Sequence, residues 1–179
     1  MARIEHRMDV NEAQFETTFV YDFGQVYLYD AAAPLSENAD EYVDALDAAN
    51  ASSMSVGIAG PLVDILMPRR ENFAAPLSVV VTGGPRPDDF DSWDHVVEFD
   101  LDVTSGRLTL EASGGSGIRE LALPPERYRA RFEGKMLGAA ASWNYGDAAS
   151  PPDAYRLELW PRTDSTPATE IKRWAGYDA

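Results

Sequence analysis

The stretch that decides the fold is Val96-Val97-Glu98-Phe99-Asp100-Leu101-Asp102-Val103, together with its continuation to Phe132. Val97, Phe99, Leu101 and Val103 alternate with Glu98, Asp100 and Asp102. Side chains alternate faces along a strand, so this period of two describes a half-buried strand with three carboxylates on its wet face. Further on, Tyr128, Ala130 and Phe132 alternate with Arg127, Arg129 and Arg131, a strand with three guanidiniums outward. Between them Leu108, Leu110 and Ala112 point inward and Arg107, Thr109 and Glu111 outward. Joining the first and second runs as a hairpin with the loop Val103-Thr104-Ser105-Gly106 pairs Asp102 with Arg107, Asp100 with Thr109 and Glu98 with Glu111. A slip by one residue would bury charge.

Working outward, the same punctuation recurs. Phe15 to Asp30 is rich in aromatic and β-branched residues and reads as strand, interrupted by a turn or bulge at Asp22-Phe23-Gly24. Ser36 is the expected N-cap of a helix that carries Glu37, Asp40, Glu41, Asp44 and Asp47 on one stripe and ends over Asn50 to Ser53. Met54 to Ala59, Val63 to Met67, Leu77 to Thr82, Ile118 to Leu123, Ala154 to Trp160 and Ala168 to Trp174 are short apolar runs bounded by Gly, Pro or Asn. Gly134 to Pro152 is a long small-residue loop with Trp143, Asn144 and Tyr145. The expected fold is all-β: a jelly-roll-like β-sandwich of about nine to eleven short antiparallel strands with one short acidic helix. The organisation is an arm over residues 1–13, one domain over 14–174 and a tail over 175–179.

The chain has 179 residues, 30 Asp and Glu against 15 Lys and Arg, a net charge of −15 and no cysteine. Without cysteine there is no disulfide framework, thiolate zinc site or Cys nucleophile, which suits a reducing cytoplasm. The N-terminus lacks an apolar segment of signal-peptide type, and no apolar run approaches the ~20 residues that span a bilayer. The acidic surface repels nucleic acid and anionic membranes and attracts basic partners, or simply solubilises.

Two stretches are candidates for contact. Glu98, Asp100 and Asp102 stand about 6.8 Å apart along their strand. They suit either a phosphate-like row for a basic cleft or a solvated wall, and they do not converge on one cation. Asp88-Asp89-Phe90-Asp91-Ser92-Trp93-Asp94 sets two large aromatics among carboxylates, either as anchors ringed by charge or as rings tucked under the sandwich edge. Arg127, Arg129 and Arg131 are expected to form a cross-strand ladder with an acidic neighbour such as the Glu98 strand or Glu158. For catalysis, His6 and His95 are the two histidines. The chain has no Gly-x-Ser-x-Gly elbow, P-loop or His-Glu-x-x-His motif. No catalytic residue, metal or cofactor is expected.

Three segments carry a family resemblance. They are Tyr21-Asp22-Phe23-Gly24-Gln25-Val26-Tyr27-Leu28-Tyr29, the acidic helix followed by Met54-Ser55-Val56-Gly57, and Leu121-Ala122-Leu123-Pro124-Pro125-Glu126-Arg127-Tyr128-Arg129-Ala130-Arg131-Phe132, with a closing strand Asp153 to Pro161. In this order they resemble the competence protein J (ComJ) type of bacterial nuclease inhibitor. The resemblance implies a protein that binds a DNA-degrading enzyme and blocks it. With the charge, it yields the leading expectation: a non-enzymatic acidic inhibitor or immunity-type protein with a basic protein partner, binding neither nucleic acid nor membrane. Its expected contact residues are Asp88, Asp89, Phe90, Asp91, Trp93, Asp94, Glu98, Asp100 and Asp102. The alternatives are a small-molecule or glycan-binding sandwich or carboxylate hydrolase using Trp93, Trp143 and Tyr145, and a structural β-module of an assembly.

Overall fold

A computed structural model describes residues 13–21, 23–68, 73–113, 117–143 and 152–178. Residues 1–12 of the expected arm, and with them His6, lie outside these residues, as do Asp22, Asn144 and Tyr145, and the arm's last residue, Ala13, begins a strand. Among the described residues eleven strands form two sheets. They are β1 (Ala13–Tyr21), β2 (Gln25–Asp30), β3 (Val56–Ala59), β4 (Leu62–Leu66), β5 (Phe73–Val81) and β6 (His95–Val103). The rest are β7 (Arg107–Ala112), β8 (Ile118–Ala122), β9 (Glu126–Lys135), β10 (Ala154–Pro161) and β11 (Thr169–Lys172). The six-stranded sheet has the order β1-β5-β10-β9-β6-β11 and the five-stranded sheet β3-β4-β2-β7-β8. The fold is an all-β sandwich.

The alternation in the sequence is what closes the sandwich. Val97, Phe99, Leu101 and Val103 from one sheet meet Val26, Leu28, Val63, Ile65, Leu108 and Leu110 from the other in one dry cluster. Tyr128, Ala130, Phe132, Leu157 and Leu159 extend it. Tyr128 is buried, and its hydroxyl donates to the Pro124 carbonyl at 2.6 Å, which ties the start of β9 to the Pro-led turn before it.

Three expectations are corrected. The hairpin between β6 and β7 does not form: β6 pairs with β9 and β11, while β7 lies in the opposite sheet between β2 and β8. Inward-facing Leu101, Val103, Leu108 and Leu110 are satisfied equally when the chain arches across the core, so alternation does not distinguish a hairpin from an arch. Charge does: the hairpin would oppose Glu98 to Glu111, whereas the arch opposes Glu98, Asp100 and Asp102 to Arg131, Arg129 and Arg127. The arch is pinned by Asp30, which accepts from the Ser105 amide at 2.8 Å and the Thr104 hydroxyl at 3.3 Å. Arg107 consequently pairs with Glu120, in the open, instead of Asp102.

Second, the strands are not all antiparallel. β10 runs parallel to β5 and antiparallel to β9, so it alone joins the β1–β5 half of the larger sheet to the β9–β6–β11 half. Third, the acidic helix α1 spans Asp40–Ala51 and starts four residues after Ser36. Ser36 opens a preceding turn: its hydroxyl accepts from the Asp40 amide at 3.1 Å and donates to Glu41 at 2.6 Å. A short helix α2 (Leu137–Ser142) also stands in what the sequence suggested was loop.

α1 packs on the outer face of the five-stranded sheet, where Gly57 makes room for it. A Cβ at that position would lie 1.9 Å from the Ala45 carbonyl oxygen and 2.4 Å from the Ala49 nitrogen.

Candidate functional site

The outer face of the six-stranded sheet is built from β6, β9 and β10, whose outward residues are charged. In register, Glu98 faces Arg131 and Asp100 faces Arg129 across β6 and β9. Arg131 reaches Glu98 at 2.8 Å and, on its other side, Glu158 of β10 at 3.4 Å. Arg129 reaches Asp100 at 3.1 Å and Glu98 at 3.4 Å. The expected ladder between the arginine strand and its acidic neighbours is therefore present. Its centre is not a wet wall, because the side chains of Arg129 and Arg131 are only 9% and 5% exposed and that of Glu158 is 0%.

Two segments cover it. Residues 162–168 close one end. Arg162 binds Asp102 at 2.6 Å, Ser165 Oγ donates to Asp100 at 2.8 Å, the Thr166 amide donates to Asp100 at 3.0 Å, and the Thr166 and Pro167 carbonyls accept from Arg129. Burial pushes the Asp100 carboxyl up, but the hydrogen bonds from Ser165, Thr166 and Arg129 and the nearby Arg162 charge outweigh it and hold the group below the usual carboxylate range. The acidic loop closes the other end through a 3-10 turn at Phe90–Ser92. The Arg131 guanidinium lies 4.8 Å from the Phe90 ring and 5.3 Å from the Trp160 ring, and Arg156 lies 4.7 Å from the Trp93 ring, within cation–π range. Lys172 donates to the Phe90 carbonyl at 3.0 Å.

Asp89 bonds Arg156 at 2.7 Å, and Arg156 is also held by buried Glu133. Against the burial of Asp89, Arg156 and the Trp93 indole N–H lower its pKa, so it is ionised. Asp94 accepts from the Leu137 amide at 2.9 Å and fixes the start of α2. Trp93 is 7% exposed. The rings of the loop thus turn inward onto cations, and the side chains it turns to solvent are those of Asp88, Asp89 and Asp91, with Asp88 70% exposed. Of the strand carboxylates, Asp102 is half exposed while Glu98 and Asp100 are largely covered. The nine residues singled out in the sequence share one face, but Asp102 sits at the far end of it from the loop.

His95 is buried, which lowers its pKa. Its Nε2 lies 2.8 Å from the Met54 carbonyl, and its Nδ1 accepts from the Trp174 amide at 3.3 Å. Both ring nitrogens are occupied by backbone groups, and Asp94 is engaged elsewhere, so the pair is not an acid–base couple. No cluster of three or more metal-ligating side chains occurs among the described residues.

The opposite sheet holds a group that the sequence did not single out. Asp64 of β4 is fully buried beneath α1, opposite Tyr27 and Gly57. Neither carboxyl oxygen has a hydrogen-bond partner among the described residues. Burial pushes its pKa up to about 7. The signal in the sequence was one acid inside the apolar run Leu62-Val63-Asp64-Ile65-Leu66, where alternation would place it outward under any covering element.

No protein-family model matches the chain, and no curated protein matches its sequence. Two solved structures share its fold. One, described as crocagin biosynthetic gene J, aligns with a TM-score of 0.55 at 15% identity, covering 85% of this chain and 99% of that one. The other is ComJ from Bacillus subtilis, described as an inhibitor of the DNA-degrading activity of NucA. It aligns with a TM-score of 0.55 at 12% identity, covering 84% of this chain and 98% of that one. No helix of the described residues is long and apolar enough to cross a membrane. In fold, the chain resembles ComJ-type proteins.

Proposed function

We propose that this chain is a non-enzymatic inhibitor or immunity-type protein that occupies a basic protein partner of nuclease type. The observation that carries the proposal is the shared fold with ComJ over most of both chains, joined to a net charge of −15. A nuclease cleft is basic because it holds phosphates, so an anionic protein meets it with complementary charge and fast association. The exposed carboxylates Asp88, Asp89, Asp91 and Asp102 are the groups proposed to meet that cleft. The covered ones, Glu98 and Asp100, hold the face rigid through Arg129 and Arg131, and Phe90, Trp93 and Asp94 fix the loop's shape. The cysteine-free chain suits work in a reducing cytoplasm.

The test is a nuclease encoded beside this gene, assayed for DNA cleavage with increasing amounts of the protein at low and high salt. Stoichiometric inhibition that weakens with salt is expected, and Asp88→Lys with Asp91→Lys slows its onset. Unimpaired cleavage at a molar excess would refute the proposal.

A further inference from the structure

The buried ring of His95 ties together three distant stretches of chain. It stands at the start of β6. Its Nε2 lies 2.8 Å from the carbonyl of Met54, just ahead of β3, and its Nδ1 lies 3.3 Å from the backbone nitrogen of Trp174, just past β11. These two partners fix the ring's protonation. An amide N–H only donates, so Nδ1 meets it with a bare lone pair; a carbonyl only accepts, so Nε2 carries the hydrogen. Both bonds are made by the neutral Nε2–H tautomer and by no other form. A second proton has one place to go, Nδ1, and there it sets N–H against N–H.

Two charges act on the ring: Glu170 of β11 favours its protonation and Arg173 opposes it. Glu170 Oε2 is buried and accepts no hydrogen bond among the described residues. On β9 the register partner of His95 is Gly134, and Met54 is flanked by Ser53 and Ser55, none of them ionisable. Asp94 and Lys172 are turned to the Leu137 amide and the Phe90 carbonyl. Burial holds the docked ring neutral against the pull of Glu170.

Trp174 anchors the segment that His95 holds. Its half-buried ring packs against the sandwich core and lies over Gly176, where a Cβ would stand 2.2 Å from a ring carbon. With Gly176, Leu46 and Met67 it walls a cavity of about 470 Å³ beside α1. The segment ends in a 3-10 turn, Ala175–Asp178.

We propose that His95 is a pH-sensitive latch on residues 173–178: neutral, it holds them on the sandwich through the Trp174 amide; protonated at Nδ1 in mild acid, it gives up that amide, turns the new N–H toward Glu170 and lets the segment swing off, opening the cavity that Trp174 walls. The latch stands whether or not the partner is a nuclease. Docking lowers the His95 pKa, so the docked segment is favoured in full above the ordinary histidine value of 6.5 and loses hold as pH falls below it. With one proton taken up on release, docking weakens by about thirtyfold from pH 6.5 to pH 5.

The test uses the full chain labelled with 5-fluorotryptophan and followed by fluorine NMR from pH 7.5 to pH 5. The Trp174 resonance is the one missing from Trp174→Phe. It should move to the position of a solvent-exposed indole as pH falls, while those of Trp93 and Trp160, held against Arg156 and Arg131, stay in place. The imidazole signal of His95, told from that of His6 by His6→Gln, should titrate with the same midpoint. His95→Gln retains an amide donor for Met54 and does not titrate, so in it the Trp174 signal should not depend on pH. Asp64 titrates in the same range but is present in that variant, so it does not mimic the result. The latch is overturned if the Trp174 signal is unmoved down to pH 5, or if it moves equally in His95→Gln. It is also overturned if its midpoint differs from that of His95, or if the signals of all 4 tryptophans move together, since the whole fold then opens. Should His95→Gln not fold, agreement or disagreement of the two midpoints in the parent chain decides.

Discussion

Replacing Asp64 with Asn tests the electrostatics beneath α1 most directly. An ordinary aspartate has a pKa of 3.8, and burial raises that of Asp64 to about 7. The folded protein therefore binds a proton that the unfolded chain has lost, so stability falls as pH rises between these values. At ~1.36 kcal/mol per pKa unit, the full penalty above pH 8 is about 4 kcal/mol, an upper bound because local relaxation shares it. Asn is nearly isosteric, resembles the protonated acid and does not titrate. The stability difference between Asp64→Asn and the parent should grow by about 2.5 kcal/mol from pH 5 to pH 8, most of it before pH 7. His95 works in the opposite sense, since burial lowers its pKa and favours folding as pH rises, but it is present in both proteins and cancels. Urea unfolding at pH 5, 6, 7 and 8, followed by circular dichroism, measures this. Parallel curves for the two proteins across that range would show that Asp64 is solvated or paired in solution.

Other outcomes follow from packing. Gly57→Ala should cost about 3 kcal/mol or detach α1, because backbone atoms of Ala45 and Ala49 occupy the Cβ position; chemical denaturation and helix ellipticity read this out. Arg131→Ala leaves Glu158 buried without its cation and should cost about 3–5 kcal/mol. Adding Glu158→Gln should recover part of that loss in a double-mutant cycle. Tyr128→Phe removes the bond to Pro124 and should cost about 1 kcal/mol in denaturation midpoint analysis, with no change in fold.

Much of the fold is legible in local alternation, because burial on one face of a strand writes itself at every second residue. Val97 to Val103 and Tyr128 to Phe132 are such cases, and the acid–arginine ladder follows from their outward residues. Sheet assignment is not local. Val103 and Leu108 are equally content in a hairpin or across an arch, and only the distant arginines and Asp30 decide between them. The loop Asp88 to Asp94 is visible as aromatic and acidic, yet which way its rings turn depends on Arg131, Arg156 and Lys135, far along the chain. Asp64 is visible as one acid inside an apolar run, yet its burial depends on the helix packed above it.

The position of β10 between β5 and β9 has a temporal consequence. During synthesis the strand that unites the larger sheet leaves the ribosome some eighty residues after β5, a wait on the order of ten seconds at ordinary elongation rates. Until then the edge of β5 that β10 will pair in parallel stays open, while its other edge is taken by β1. The nascent chain in that interval is the form most exposed to aggregation, and the one a chaperone would be expected to hold.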